Sequence, residues 1–261
     1  MNLETKQRVK QRVRDKMESI IARRIQELPG DMQNINDTNP FGSRLVPNEI
    51  WKGSKFERSF VTSFGQGVYE QIALEIAIGS GAFAENQHVE RVTLNTWQEE
   101  AIQELLARQR SVVNQEHPNW SNELQRIASL NNPRHIEIDT RFDLYVRRSN
   151  GSEEYYSIKT VKPNLDQVEI AKRDMLRIST AKPNCHAYLG LPYNPDGEGN
   201  LYAWSIPKKL FDMNNSPAVL IGASFWNAVG ANNSTFTELL EVFHEVGVES
   251  RARITSDFLG I

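Results

Sequence analysis

Asp143 and Lys159 are the residues whose types and spacing most readily suggest chemistry. A carboxylate and an ammonium brought together on adjacent antiparallel strands would suit hydrolysis of a phosphodiester. The carboxylate can anchor a divalent metal that activates water and offsets the charge building on phosphorus, while the ammonium holds the attacking water or the scissile oxygen. Hard oxygen ligands favour Mg²⁺ over zinc. Such a pair is common on strands, so its weight depends on the elements that carry it.

Those elements are legible. In residues 135–147 the apolar side chains Ile136, Ile138, Phe142, Leu144 and Val146 fall on even numbers, while His135, Glu137, Asp139, Arg141 and Asp143 fall on odd ones. This is the period of a strand with one buried face. In residues 154–161, Tyr156 and Ile158 share one face, and Tyr155, Ser157 and Lys159 share the other. Arg148-Ser149-Asn150-Gly151-Ser152 between them is a hairpin signal. A two-residue Asn-Gly turn would place Asp143 among the core side chains, a costly burial. A three-residue loop, Ser149-Asn150-Gly151 with Gly151 in the left-handed position, instead sets Asp143 opposite Ser157 and one diagonal step from Lys159. It also pairs Phe142 with Ile158 and Leu144 with Tyr156, which satisfies both faces.

The chain has 261 residues, 30 Lys+Arg against 33 Asp+Glu, and a single cysteine, Cys185. That length suits one large domain or a core with appendages. One cysteine allows neither an internal disulfide nor a zinc knuckle, which points to a reducing, cytoplasmic setting. The greasiest stretch, residues 217–231, is too short to span a bilayer and contains Ser224 and Asn227. The net charge of -3 hides two basic zones. Residues 1–28 hold eight basic against four acidic side chains, and residues 159–182 hold six against three. The C-terminal stretch is acidic, with Glu238, Glu241, Glu245, Glu249 and Asp257 against Arg251 and Arg253. A polyanion responds to such local fields and not to the net value. No GxSxG elbow, no Walker loop and no paired-histidine zinc spacing is present.

Elsewhere, Val9, Val13, Met17, Ile20, Ile21, Ile25 and Leu28 predict an amphipathic helix that Pro29-Gly30 should stop, followed by an irregular connection through residues 30–50. Residues 1–45 thus read as an N-terminal helical arm with its connection, and residues 46–261 as the main domain. Ser54 and Glu57 have capping-box spacing, opening a helix with Phe56, Phe60 and Phe64 on one stripe. Gly65-Gln66-Gly67 interrupts it, and a second helix runs from Val68 until Gly79 and Gly81 end it. Further helices are expected over residues 95–115, 121–130 and 164–179, and near the C-terminus, where Phe236, Leu239, Leu240, Phe243 and Val246 form a stripe.

The stretch FDLYVRRSNGSEEYYSIKTVKPN, residues 142–164, resembles the core of PD-(D/E)xK nucleases. KGSKFERSFVTSFGQGVYEQIA (residues 52–73), SIKTVKPNLDQ (157–167), AYLGLPYNPDG (187–197) and SFWNAVG (224–230) resemble, in order and spacing, one group within that superfamily, the TdeIII-type restriction endonucleases. The resemblance covers residues 40–250. It implies an α/β fold with a restriction-endonuclease-like core, a mixed central β-sheet flanked by helices. It further implies Mg²⁺-dependent cleavage of double-stranded DNA at a short palindromic, GC-rich site of the GGNCC kind by a homodimer, a palindrome calling for two symmetry-related active sites.

Residue by residue, the resemblance makes Asp143 the metal-binding aspartate and Lys159 the catalytic lysine. The departure is Ser157, where the pattern has Glu or Asp. Serine cannot supply the missing negative charge, so either a carboxylate arrives from elsewhere or activity is impaired. Some nucleases of the superfamily recruit a glutamate from the following helix, where Asp166, Glu169 and Asp174 are available, Glu169 being favoured for the metal. Glu70, one turn past the glycine break, stands where many of these nucleases carry a helix glutamate facing the metal. Asp139 lies about 13 Å along the strand from Asp143, too far to share an ion. Lys162, Asn164 and Gln167, followed by Lys172, Arg173 and Arg177, are the expected DNA contacts. Two other readings stand beside this one: a DNA-binding protein of the same fold that lost catalysis, suggested by Ser157, and a structure-specific repair or recombination nuclease.

Overall fold

The computed structural model describes residues 1–65, 67–111, 113 and 116–261. The chain forms two compact units, one of residues 1–75 with 237–261 and the other of residues 76–236. Gln66, the centre of the expected glycine break, lies outside the described residues.

The first unit is helical. Helix α1 (Leu3–Thr38) buries Val9, Val13, Met17, Ile20 and Ile21 along the stripe expected from their spacing. It does not stop at Pro29-Gly30 but continues through the proline to Thr38. Proline removes one backbone donor from a helix interior. Here side-chain bonds span that turn, with Arg24 pairing to Glu27 and, at 2.9 Å, to Asp31. After a short helix α2 (Gly42–Leu45), α3 (Asn48–Gly65) begins six residues before Ser54, so Ser54 and Glu57 lie inside a helix and form no cap. Helix α4 (Val68–Gly79) follows Gly67, whose φ of 79° suits glycine, and ends at the expected glycines.

The second unit is built on a five-stranded mixed sheet, β1 (Phe83–Asn95), β2 (His135–Arg147), β3 (Glu153–Ile158), β4 (His186–Leu191) and β5 (Val219–Ile221), in the order β1-β2-β3-β4-β5. The first two pairings are antiparallel and the last two parallel. Helices α5 (Thr96–Arg110), α6 (Trp120–Ala128) and α7 (Leu165–Ala181) cover one face through Ile102, Leu105, Ile127, Val168, Met175 and Ile178. On the other face Phe225 of α8 (Ala223–Gly230) meets Tyr156 edge-on, with ring centroids 6.0 Å apart. This is the mixed α/β architecture expected, a sheet flanked by helices. Strand β1 was not foreseen, because its first half, with Glu85, Asn86, Gln87 and His88, reads as polar loop.

The hairpin register is the one the three-residue loop requires. Leu144 pairs with Tyr156, Tyr145 with Tyr155, Val146 with Glu154 and Arg147 with Glu153. Arg148 N–H donates to Ser152 O at 2.9 Å and Gly151 has a φ of 85°. Open space surrounds Gly151, so a Cβ there would meet only backbone strain. Gly151→Ala is therefore expected to lower unfolding free energy by about 1–2 kcal/mol, readable by urea denaturation.

Helix α9 (Thr235–Arg253), from residue 237 onward, completes the first unit. Its acids meet the cations of α1: Lys10 bonds Glu245 at 2.7 Å and Arg14 bonds Glu249 at 2.8 Å, while Glu18 pairs with Arg253. The constant offset of 235 residues means that the two helices run parallel, one turn answering one turn. Hydrogen bonds from Arg14 and Lys10 draw the Glu249 carboxyl down to about 2. The basic N-terminal zone and the acidic C-terminal zone are thus two sides of one ionic seam.

Candidate active site

Strand β2 carries Asp143 to the point where the sheet forks. In an antiparallel ladder, bonded and non-bonded pairs alternate. The Arg148–Ser152 rung therefore places later rungs at 146/154, 144/156 and 142/158. The ladder stops at Leu144↔Tyr156. The expected Phe142–Ile158 pair does not form, and Ile158 N–H donates instead to Asp143 Oδ2 at 2.7 Å. Beyond this point β3 stays with β4, and Lys159 N–H donates to Gly190 O at 2.9 Å.

A change of phase accompanies the fork. Phe142 packs on Tyr155 with centroids 5.0 Å apart, within the core cluster that includes Val92, Leu94 and Tyr145. Leu144 is equally buried but pairs with Tyr156, on the α8 side of the sheet. The apolar residues of β2 consequently do not share one face, as strict alternation had suggested. Opposite Asp143, between the pairs Asn86↔Leu144 and His88↔Phe142, stands Gln87 with a φ of 54°. This local break in β1 and β2 is where the side chains change sides.

The result is a direct contact: Lys159 Nζ lies 2.7 Å from Asp143 Oδ2, with both side chains about one-fifth exposed. The register thus brings together the two residues singled out from the sequence. Ser157 is buried, at 3% exposure, on the strand between them. The segment after Lys159 is held from outside the hairpin. Tyr202 Oη donates to Val161 O at 2.8 Å, and Trp204 Nε1 to Pro163 O at 3.3 Å. Neither aromatic was singled out from the sequence, because the contacts reach across about forty residues.

Helix α7 starts with Asn164 and Gln167 in a reciprocal capping box, so both side chains already have structural bonds. Glu169 pairs with Arg110 and Arg173, and Asp166 with Arg110 at 2.9 Å. Arg177 bonds Glu99 at 2.5 Å and Asp174 at 3.3 Å, and Asp174 accepts Arg141 N–H at 3.2 Å. Burial pushes the Asp174 carboxyl up, against those bonds. Lys172 is corrected outright as a DNA contact: at 1% exposure its ammonium is enclosed, 2.7 Å from Glu123. Its position was readable, since it stands four residues after Val168 and three before Met175, on the apolar stripe. The expected basic strip along α7 is therefore largely an internal network. Lys162 does face solvent, with its ammonium 5.7 Å from the Trp204 ring centroid.

Glu70 lies in the first turn of α4, in the first unit. Among the described residues no group of three or more His, Cys, Asp or Glu side chains could hold a metal. No helix among them is long and apolar enough to cross a membrane.

Comparison with known proteins bears on this geometry. The family model described as "Type II restriction endonuclease, HinfI" matches residues 5–247. Type II restriction enzyme HgiBI of Herpetosiphon aurantiacus is 33% identical over 241 residues, covering 90% of this chain and 86% of its own. Type II restriction enzyme HgiEI of the same organism is 34% identical over 229 residues, covering 85% and 82% respectively. With a carboxylate–lysine contact at a sheet fork, and a match that runs through both units, this chain belongs to the HinfI family of type II restriction endonucleases.

Proposed function

We propose that this protein hydrolyses phosphodiester bonds of duplex DNA at a short palindromic site, with Asp143 and Lys159 at the reaction centre and Mg²⁺ as cofactor. The observation that carries the reading is the 2.7 Å contact between Lys159 Nζ and Asp143 Oδ2 where β2 and β3 part. A GC-rich target of the GGNCC kind, a homodimer matching the symmetry of the site and a cytoplasmic setting belong to the same proposal. So does the narrower kinship with TdeIII-type enzymes, which rests on the four sequence blocks.

The donor set suits a hard cation. Both bonds to Asp143 among the described residues fall on Oδ2, and Mg²⁺ is commonly held by one or two carboxylates together with substrate phosphate and water. When bound there, the ion would lower the pKa of water and neutralise charge on the phosphate. Ile158 N–H and Lys159 fix the orientation of the Asp143 carboxylate. An ammonium has three donors, so Lys159 can keep Asp143 and still donate to a phosphate oxygen. Ser157 is neutral, which leaves Glu169 as the candidate within this unit for a second acid. To serve, Glu169 would have to give up one of its two arginines.

Incubation with plasmid DNA and Mg²⁺ tests the reading. Discrete fragments whose sequenced ends share one short palindrome, and their loss on adding EDTA, are expected. Ser157 favours a second reading, a DNA-binding protein without catalysis, which would leave plasmid intact while still shifting it in a gel. Cutting that follows branches or nicks and ignores sequence would instead indicate a structure-specific nuclease.

A further inference from the structure

Residues 202–211 form a strap fastened to the segment that follows Lys159. Tyr202 bonds Val161 O at 2.8 Å, and Trp204 bonds Pro163 O at 3.3 Å. At the far end, the buried Lys172 donates to Leu210 O at 2.5 Å, and its ammonium lies 5.2 Å from the Phe211 ring centroid. Between these anchors a short 3₁₀ turn, Pro207–Lys209, puts Lys208 in solvent and leaves Lys209 half-buried. On the segment that the strap holds, Lys162 is exposed over Trp204. Among the described residues none of these three lysines forms an ion pair, whereas Arg173 and Arg177 of α7 both do. Three acids near the strap carry other bonds: Asp166 pairs with Arg110, Asp196 accepts Ala203 N–H at 2.7 Å, and Asp212 accepts the Asn214 and Asn215 backbone N–H groups.

We propose that Lys162, Lys208 and Lys209 form a ridge that grips the DNA phosphate backbone beside Asp143 and Lys159, a deepening that rests on the endonuclease reading. An unpaired lysine is a hydrated point charge with rotatable donors, suited to phosphate oxygens and without the rigid planar fork of arginine. The anchors at both ends of the strap hold these charges in a fixed relation to the reaction centre. The ridge therefore sets register on the duplex and carries no sequence information of its own.

Salt dependence tests this directly, because each neutralised phosphate contributes about 0.9 to the slope of log K against log salt. The probe is a fluorescein-labelled duplex of about 40 bp and mixed sequence, titrated in EDTA at about 50 to 200 mM NaCl. Lys208→Gln/Lys209→Gln is expected to flatten the slope by about 1.8 and to weaken binding about tenfold, and adding Lys162→Gln to flatten it by about 0.9 more. Arg108→Gln on α5, which breaks the pair with Glu116, serves as the control and should leave binding unchanged. Thermal melts of each variant should coincide with wild type. A triple variant with wild-type affinity and slope, in a protein that still binds and cuts DNA, overturns the ridge alone. A wild-type protein that binds no duplex overturns the ridge and the endonuclease reading together.

Discussion

Lys159→Met is expected to slow cleavage of a plasmid fragment by about 10²–10³ under single-turnover conditions, the usual effect of removing one donor aimed at developing charge. Affinity in EDTA should change far less, since the ammonium at this position contributes at most one of many phosphate contacts. Asp143→Asn keeps the shape of the side chain and an oxygen able to accept Ile158 N–H, but removes the charge that faces Lys159. It should abolish detectable cutting while leaving the melting temperature near wild type, because the pair is partly exposed and such pairs stabilise a fold by about 1 kcal/mol or less. Wild-type cleavage by either variant would remove the fork of β2 and β3 from the chemistry.

Lys172→Met should produce the largest loss of stability. Lys172 and Glu123 are 1% and 3% exposed and 2.7 Å apart. Gln109 bridges them, donating to Glu123 Oε1 at 2.6 Å and accepting from Lys172 Nζ at 2.9 Å. Burial pulls the Lys172 ammonium down to about 8 even with Glu123 beside it. Removing the cation leaves Glu123 buried and uncompensated, a change that costs about 3–5 kcal/mol. For a domain of 150–250 residues this lowers Tm by about 10 °C, measurable by thermal melt. Lys172→Met/Glu123→Gln should be less destabilised than the sum of its single variants, because the second change removes the stranded charge. A Lys172→Met protein that melts with wild type would mean that this pair does not hold α6 and α7 together.

Local grammar explains what could be read in advance. The hairpin register followed from Asn150-Gly151 and from where the apolar residues would otherwise fall, and with it came the meeting of Asp143 and Lys159. What escaped notice depended on distant partners. Pro29 looks like a stop until Arg24 is seen bridging to Asp31. Arg177 looks like a surface charge until Glu99, on another helix, takes it. The phase change at Asp143 arises in β1, at Gln87, and nothing in the β2 sequence announces it. The strap at 202–211 has no periodicity of its own and gains its form from the carbonyls it reaches.

The ionic seam between α1 and α9 also constrains how the molecule comes into being. Residues 1–75 are synthesised before residues 76–236, and those before the acids at 238–249 that neutralise α1. At about 5–20 residues per second, translation leaves the first helix without its electrostatic counterpart for about 10–50 s. The sheet carrying Asp143 and Lys159 is thus available to fold while the helical unit is still half made.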